Sequence, residues 1–524
     1  MKKGTIFMKK GNLGPVFYIS VIVITLFVAW GFVSPENLAT SSSNALSFIT
    51  TSFGWFYLLA TFIFLVFAVY LAFGPFGKIK LGDDDEDPEY SYFTWFAMLF
   101  SAGMGIGLVF WGVAEPIYHY TAPPMNVPGE TPEAARIALR YSFFHWGLHP
   151  WAIYTIVALA LAYAQFRKGE SGLISSTFKP ILGDRVHGPI GKGIDTFATI
   201  ATAFGVATSL GLGTLQINGG LNYVLGIPNT IVVQMIIILV VTILYMLSAT
   251  TGLNKGIRYL SNLNLGLAIG LLLFVIIFGP TSFILDVLTT TIGDYLGAII
   301  PMSFRMTPFT QGTWVGAWTI FYWAWWIAWA PFVGTFIARV SRGRTIKEFV
   351  LGVLLVPTIF GAIWFSAFGG SAIFFDLFEQ RGISEAVNSD ITTALFITLE
   401  QFPLSAILGT LATLLIITFF VTSADSATFV LGMLTSKGVL NPATSTKLIW
   451  GLLQSSIAAV LLWSGGLNGL QTASIVAALP FAVIVVMMIF ALSKALNQEV
   501  REQKRKERRR IKKLEELLKE SEGK

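Results

Sequence analysis

The sequence predicts an all-α polytopic membrane protein, and three observations carry that prediction. Of its 524 residues, 54% are hydrophobic and only 12% charged, with mean hydropathy +0.70; soluble domains carry about 25% charged residues. Apolar runs of about 18 residues or more, long enough to cross a bilayer, recur along the whole chain. Lys and Arg crowd into alternate connecting segments, the asymmetry that sets membrane orientation. Cysteine is absent, which excludes thiol catalysis, zinc–thiolate sites and disulfides. The formal charge of +6 does not point to nucleic acid, because the basic residues lie in short loops and in the tail.

Twelve spans are expected, near 15–33, 53–75, 92–118, 137–165, 191–218, 228–250, 260–280, 314–340, 347–373, 401–436, 446–465 and 468–494. Residues 1–14 form a short basic segment before them. The first span is too long for a signal peptide and lacks a small-residue cleavage site. With the N-terminus cytoplasmic, the inside segments hold Lys78 and Lys80; Arg167, Lys168, Lys179, Arg185 and Lys192; Lys255 and Arg258; Arg339, Arg342, Arg344 and Lys347; and Lys437 and Lys447. The outside segments hold Arg136, Arg140, Arg305 and Arg381. Both termini are then cytoplasmic, and 495–524 is a charged tail.

Four segments stand apart from plain spans. Asp83–Glu89 (DDDEDPE) is an acidic run before the third span and reads as a solvated loop. Thr281–Pro308, only partly apolar, reads as an amphipathic helix on the outer surface. Ser101–Gly107 (SAGMGIG) puts glycines at 103, 105 and 107 inside the third span, each costing about 1 kcal/mol relative to alanine in a helix. They mark either tight helix packing or a helix broken at mid-membrane, which is tolerated only where it lines a cavity. Gln311–Phe336 carries six of the fifteen tryptophans, with Pro331 inside the run. Tyr322, Trp325, Trp326 and Trp329 recur at helical spacing on one face. An interfacial girdle explains tryptophan near membrane surfaces; indole faces converging at mid-span suit a quaternary ammonium ion.

The two interruptions lie five spans apart. In transporters built from inverted five-helix repeats, the first helix of each repeat is discontinuous and substrate binds between them. The repeats here would be about 92–280 and 314–494, with two additional N-terminal helices.

At these residues the sequence resembles the betaine/choline/carnitine transporter family, and within it the glycine betaine carriers of Gram-positive bacteria. The likeness covers nearly all of 12–500. It is carried by SAGMGIGLVFWGVAEP (101–116), FFHWGLHPWAIY (143–154), TSLGLGTLQINGGLNY (208–223), TIFYWAWWIAWAPFVGTFIARVSRGRT (319–345) and FFVTSADSATFVLGMLTS (419–436). The resemblance implies a LeuT-like inverted-repeat fold in a bacterial plasma membrane, assembled as a homotrimer. It implies an aromatic box of Trp146, Trp151 and Tyr154 with Trp325, Trp326 and Trp329, approached past Phe321 and Trp323. Backbone at Gly103, Met104, Gly105 and Gly107 would lie near the substrate carboxylate. Choline carriers of the family carry aspartate where this chain has Gly107, so glycine favours a zwitterion that brings its own counter-charge. Sodium would be held by Thr422, Ser423 and Phe419 with backbone at Ala102 and Met104. A second sodium site would use Thr202 and Phe332, although Val206 occupies the position of its second threonine. Val333, where sodium-independent exchangers of the family carry methionine, also favours sodium coupling.

Other polar residues have plainer readings. His145 and His149 have the i, i+4 spacing of a metal pair, but no third His, Cys or nearby carboxylate is evident, so they read as packing and hydrogen-bonding residues. Glu115 and Asp425 read as structural hydrogen-bonding carboxylates rather than a proton relay. The tail reads either as a topology-fixing segment or as a helix on an anionic leaflet that senses ionic strength. No catalytic motif is present, so the expectation is a sodium-coupled importer of glycine betaine or a related trimethylammonium solute for osmoprotection, without cofactor and not an enzyme. Proton-coupled or sodium-independent carriage of choline or carnitine is the alternative on the same fold.

Overall fold

The computed structural model describes residues 13–103, 105–251, 254–439 and 441–522. It is helical throughout; among the described residues no strand forms, and the sole extended pairing is an isolated bridge between Lys80 and Thr345. The long helices are α1 (Pro15–Val33), α2 (Pro35–Phe73), α3 (Tyr92–Gly103), α4 (Ile106–Thr121), α5 (Pro132–Trp146), α6 (Leu148–Ala162), α7 (Pro189–Leu225), α8 (Ile231–Thr251), α9 (Asn254–Phe278), α10 (Thr281–Ser303), α11 (Phe321–Val340), α12 (Ile346–Leu377), α13 (Ser405–Thr435) and α14 (Thr444–Glu522). Among the described residues, eleven helices are long and apolar enough to cross a membrane. In lipid the helix is the solution that satisfies every backbone group within its own segment.

Local signals explain several boundaries. Pro15, Pro35, Pro132 and Pro189 start helices at positions where the missing N–H costs nothing. Thr131 caps α5 by accepting from the Ala134 amide at 3.2 Å, and Thr345 with Glu348 forms a capping box at α12. Gly226 ends α7 in the left-handed region (φ 69°). The run from Thr444 onward bends at Gly466 (φ 55°, ψ −139°) and stays helical into the tail.

Helix α7 is buried throughout its middle, 201–220. The Trp-rich α11 packs against α6, α7 and α14, while α4 lies against α5 and α12. Peripheral α1, α8 and α9 expose apolar side chains such as Leu26, Leu239 and Ile277, as lipid-facing helices do. Helix α10 turns Leu285, Ile292, Leu296 and Ile300 outward and buries Ile284, Thr291 and Tyr295.

Two interruptions differ from expectation. α11 runs through Pro331 without a break, and its irregularity is a π-helical turn at Gly316–Ile320. Proline's fixed φ suits a helix, and the loss is a single backbone bond in a helix enclosed on several sides. The fourth span is broken as well as the third. α5 and α6 meet at Gly147 (φ −97°, ψ −136°), three residues before Pro150; proline is a recognised cause of kinks, and glycine tolerates the non-helical backbone at the break.

The acidic run is also more than a solvated loop. Leu81 N donates to Arg344 O at 2.8 Å and Gly343 N to Leu81 O at 2.9 Å, zipping this loop to the one after α11. Asp84 pairs with Arg167 at 2.7 Å, Glu86 with Arg342 at 2.5 Å and Glu89 with Arg339 at 3.5 Å. Arg167 also holds Glu499 at 2.7 Å, beside a Lys168–Glu499 pair, where the last span passes into the tail. Burial opposes ionisation of Glu499, but the hydrogen bonds and charge of Lys168 and Arg167 outweigh it and hold the carboxyl at about 2. Beyond it, Arg501, Lys504, Arg505, Arg508, Arg509 and Lys512 share one face of the tail helix.

Arg167→Ala removes the charged donor that joins the acidic loop to the tail. It is expected to cost about 2 kcal/mol and to lower the unfolding temperature of detergent-purified protein in a thermal-shift assay. An unchanged midpoint would show that the junction carries no stability.

Candidate functional site

The broken third span builds one wall of the site. Between α3 and α4, Gly105 is extended (φ −146°, ψ 179°), with nothing within 4 Å of where a Cβ would stand. The first turn of α4 leaves the amide N–H groups of Ile106 and Gly107 without intrahelical partners, donors of the kind that receive a carboxylate at a helix N-terminus. Met104 lies outside the described residues, as do the side chain of Ala102 and the surroundings of Gly103.

Facing this break is a cavity of about 50 Å³ lined by Gly105, Gly107, Trp146, Tyr154, Trp325, Trp326 and Trp329, with Ser209 and Ser423. Among the described residues its wall contains no charged side chain. The ring of Trp146 lies 5.3 Å from Trp326 and 6.1 Å from Trp325, both edge to face, and Tyr154 is 5.1 Å from Trp326. Gly107 makes the closeness possible, because a Cβ there would stand 2.4 Å from the Trp325 ring and 3.2 Å from that of Trp146. A second close approach fixes Trp329. Its indole N–H donates to Gly205 O at 2.6 Å, and a Cβ on Gly205 would fall 2.9 Å from its ring.

Not every expected residue lines this cavity. Trp151 sits behind Trp326, 6.0 Å ring to ring, and belongs to a smaller adjoining void with Pro357 and Gly361. Phe321 is fully buried and stacks on Trp325 at 5.7 Å. Tyr322, although in register with the box tryptophans, turns to Glu115. Trp323 is on the other face, stacked on His149 at 5.4 Å, so it is no approach to the box.

A second cavity of about 640 Å³ shares Gly105, Trp329 and Ser423 with the first. It passes Phe332, Val333, Phe419, Thr422 and Asp425 and reaches Gln165, Gly172, Arg339 and Gly438 at the basic end of the bundle. Thr422 Oγ1 bonds back to Thr418 O at 3.0 Å, as membrane hydroxyls commonly do. It also accepts from Asn264 Nδ2 at 3.3 Å, and Asn264 Oδ1 is buried without a partner among the described residues. The side chains of Ser423 and Asp425 have no hydrogen-bond partner among the described residues, so the structure does not give Asp425 the structural bonds expected of it. Thr202 is buried and commits its hydroxyl to Ala198 O at 2.7 Å, lining neither cavity. Phe332 lies on the wide cavity, so the pair is divided.

The His145–His149 pair is not a unit, because the Gly147 break separates the two rings. His149 bonds Ser303 at 2.8 Å. His145 instead joins Glu115 and His119 in a buried cluster whose ligand-type atoms lie within 4.8 Å of one another, so the further ligand types not evident in the sequence do stand beside it. Glu115 is its hub, with His145 Nδ1 at 2.7 Å, His119 Nε2 at 3.2 Å, Trp146 Nε1 at 2.8 Å and Tyr322 Oη at 2.5 Å. These bonds satisfy both carboxylate oxygens, which accords with a structural hydrogen-bonding role. Ser209, Asn264 and the linking role of Glu115 escaped the sequence reading. Ser209 stands inside a quoted motif, and Asn264 was signalled only by being an amide within an apolar span.

A helical bundle with a broken helix, a chargeless aromatic cavity and a vestibule leading from it to one end is the architecture of a membrane transporter, not of an enzyme. Comparison with known sequences agrees. The profile of the betaine/carnitine/choline family transporters matches residues 15–501, and the chain belongs to that family. It is 56% identical over 492 residues to the glycine betaine transporter OpuD of Bacillus subtilis, covering 94% of this chain and 96% of that one. It is 52% identical over 493 residues to an ectoine/hydroxyectoine transporter of Virgibacillus pantothenticus, covering 94% and 98%. A probable glycine betaine transporter of Desulfitobacterium hafniense is 50% identical over 494 residues, with the same coverage. The protein is therefore a multi-pass membrane transporter.

Gly107→Ala forces the Trp325 ring out of the wall, an overpacking cost of about 1–3 kcal/mol. Normal membrane insertion with uptake reduced about tenfold or more at low substrate is expected from that cost. Wild-type uptake would show that the indoles need not approach this backbone.

Proposed function

We propose that the protein imports glycine betaine, or a closely related trimethylammonium solute, by sodium-driven symport with alternating access. The observation that carries this reading is the gathering of Trp146, Tyr154, Trp325, Trp326 and Trp329 around one cavity without a charged wall. A trimethylammonium group cannot shed its charge by deprotonation, and the negative faces of aromatic rings attract it, by about 2 kcal/mol or more when desolvated. The absence of a carboxylate in the wall favours a cargo with its own counter-charge, and the free amides at the start of α4 offer that carboxylate donors. Relatives named for glycine betaine support the same cargo.

Oxygen ligands suit a hard cation such as sodium. The hydroxyls of Thr422 and Ser423 and the unpaired Asn264 Oδ1 supply such oxygens beside the box. On the inverted-repeat reading, the broken α3–α4, α5–α6 and α7–α9 would form one five-span unit and α11–α14, with the last helix divided at Gly466, the other; α1 and α2 would be the two additional spans. If the basic loops face the cytoplasm, the wide cavity is the inner vestibule and the conformation is open inward. The packed rings of Trp111, Trp314, Trp318 and His119 then close the outer side.

Reconstituted protein given labelled glycine betaine and an inward sodium gradient, without a proton gradient, tests the reading. Accumulation above equilibrium that collapses without sodium is expected; exchange for preloaded substrate alone would remove the coupling assignment. Ectoine, the cargo in the name of one relative, is the competing substrate in the same assay, and its preference would replace the trimethylammonium reading. Trp329→Leu is expected to raise the transport KM about tenfold or more through loss of a desolvated cation–π contact. Ser423→Ala is expected to raise the sodium concentration for half-maximal uptake; unchanged values would take either residue out of its site.

A further inference from the structure

The aromatic cavity has no charge in its wall, but a buried carboxylate stands directly behind it. Glu115 Oε2 accepts the indole N–H of Trp146 at 2.8 Å and the hydroxyl of Tyr322 at 2.5 Å. Trp146 in turn presents its ring to the cavity. On the other oxygen, His145 Nδ1 stands at 2.7 Å and His119 Nε2 at 3.2 Å. His145 Nε2 is 2.9 Å from Thr319 Oγ1, which can donate to it. One neutral tautomer of each imidazole therefore places a donor at each of the four lone-pair sites of the carboxylate. That is the setting of an anion: an indole N–H can only donate, and bonds to a charged acceptor are stronger than neutral ones.

A donor bonded to an anion is polarised, and the effect is largest where the local dielectric is low. Both partners here are buried, Glu115 completely. Polarising the N–H moves electron density into the indole ring, and the ring's negative face is what attracts a cation. We propose that Glu115 determines the specificity of the site through Trp146: its charge strengthens the indole's hold on a cationic head, beyond fixing the orientation of the ring. The site thereby gains from an anion without exposing one to the ligand, so a zwitterion's carboxylate meets no like charge in the wall. This deepens the trimethylammonium reading and rests on it.

The test compares glycine betaine with tert-butylacetate, which has the same shape and carboxylate but carbon in place of the cationic nitrogen. Competition uptake in proteoliposomes gives the ratio of their affinities. Wild-type protein is expected to prefer the betaine; no preference would overturn the trimethylammonium reading itself. Glu115→Gln keeps the size and polar atoms but removes the charge, and is expected to shrink the preference about three- to tenfold, with affinity for tert-butylacetate little changed. A wild-type preference that survives Glu115→Gln, or equal weakening of both ligands, would overturn the role of the charge. Should that variant fail to insert, replacing Trp146 by benzothienylalanine keeps the fused ring without the N–H. The same fall in preference is then expected, and an unchanged ratio would overturn the proposal.

Discussion

A permanent cation taken out of water needs something other than water to face, and a carboxylate in direct contact would itself need compensation. Aromatic faces meet that need at lower cost, because they attract a cation while remaining apolar enough to pack within a membrane bundle. The rest of the site is arranged to bring such faces together. Gly107 lets Trp325 and Trp146 approach the α4 backbone, and Gly205 lets Trp329 lie against α7. The break at Gly147 turns the end of α5 so that Trp146 and Tyr154 serve the same cavity from two helices. Behind them, Glu115 ties α4, α5 and α11 into one unit through Trp146 and Tyr322.

That unit bears on transport as well as binding. The vestibule leads from Trp329 and Ser423 to the basic end of the bundle, while on the other side rings pack around His119. The basic end has its own ties, joining the loop before α3 to the loop after α11 and, through Arg167, to the base of the tail. Helices that frame the cavity are thus linked near both ends. Rearrangement between access states has to preserve or exchange these bonds rather than leave buried charges unpaired.

Much of this was legible from the residues. Membrane helices announce themselves by composition and length, since lipid leaves the backbone few alternatives. The box tryptophans stood out because six indoles in one span exceed what an interfacial girdle needs. Reading failed where the outcome depended on contacts distant in sequence or on a helix not staying regular. Pro331 looked like an interruption, but α11 stays helical through it. Gly147, passed over, broke the helix between His145 and His149 and undid their i, i+4 geometry. Tyr322 shared a face with Trp325 and Trp329 on a helical wheel, yet a carboxylate 207 residues away in sequence claimed its hydroxyl. Glu115, Ser209 and Asn264 each join the site from a separate helix, and no local pattern relates them. The acidic run was read as solvated because its arginine partners lie in later loops.

The central claim is that the cavity between α4, α5, α6 and α11 holds a trimethylammonium group by its tryptophan faces. Equilibrium titration of the detergent-purified protein with glycine betaine, read by intrinsic tryptophan fluorescence in sodium and in a sodium-free buffer, tests it most directly. The account predicts a saturable change, tighter in sodium, that disappears when Trp325 and Trp326 are both replaced by leucine. Saturable binding of undiminished affinity in that double variant, detected by the remaining tryptophans or by a radioligand, would contradict it.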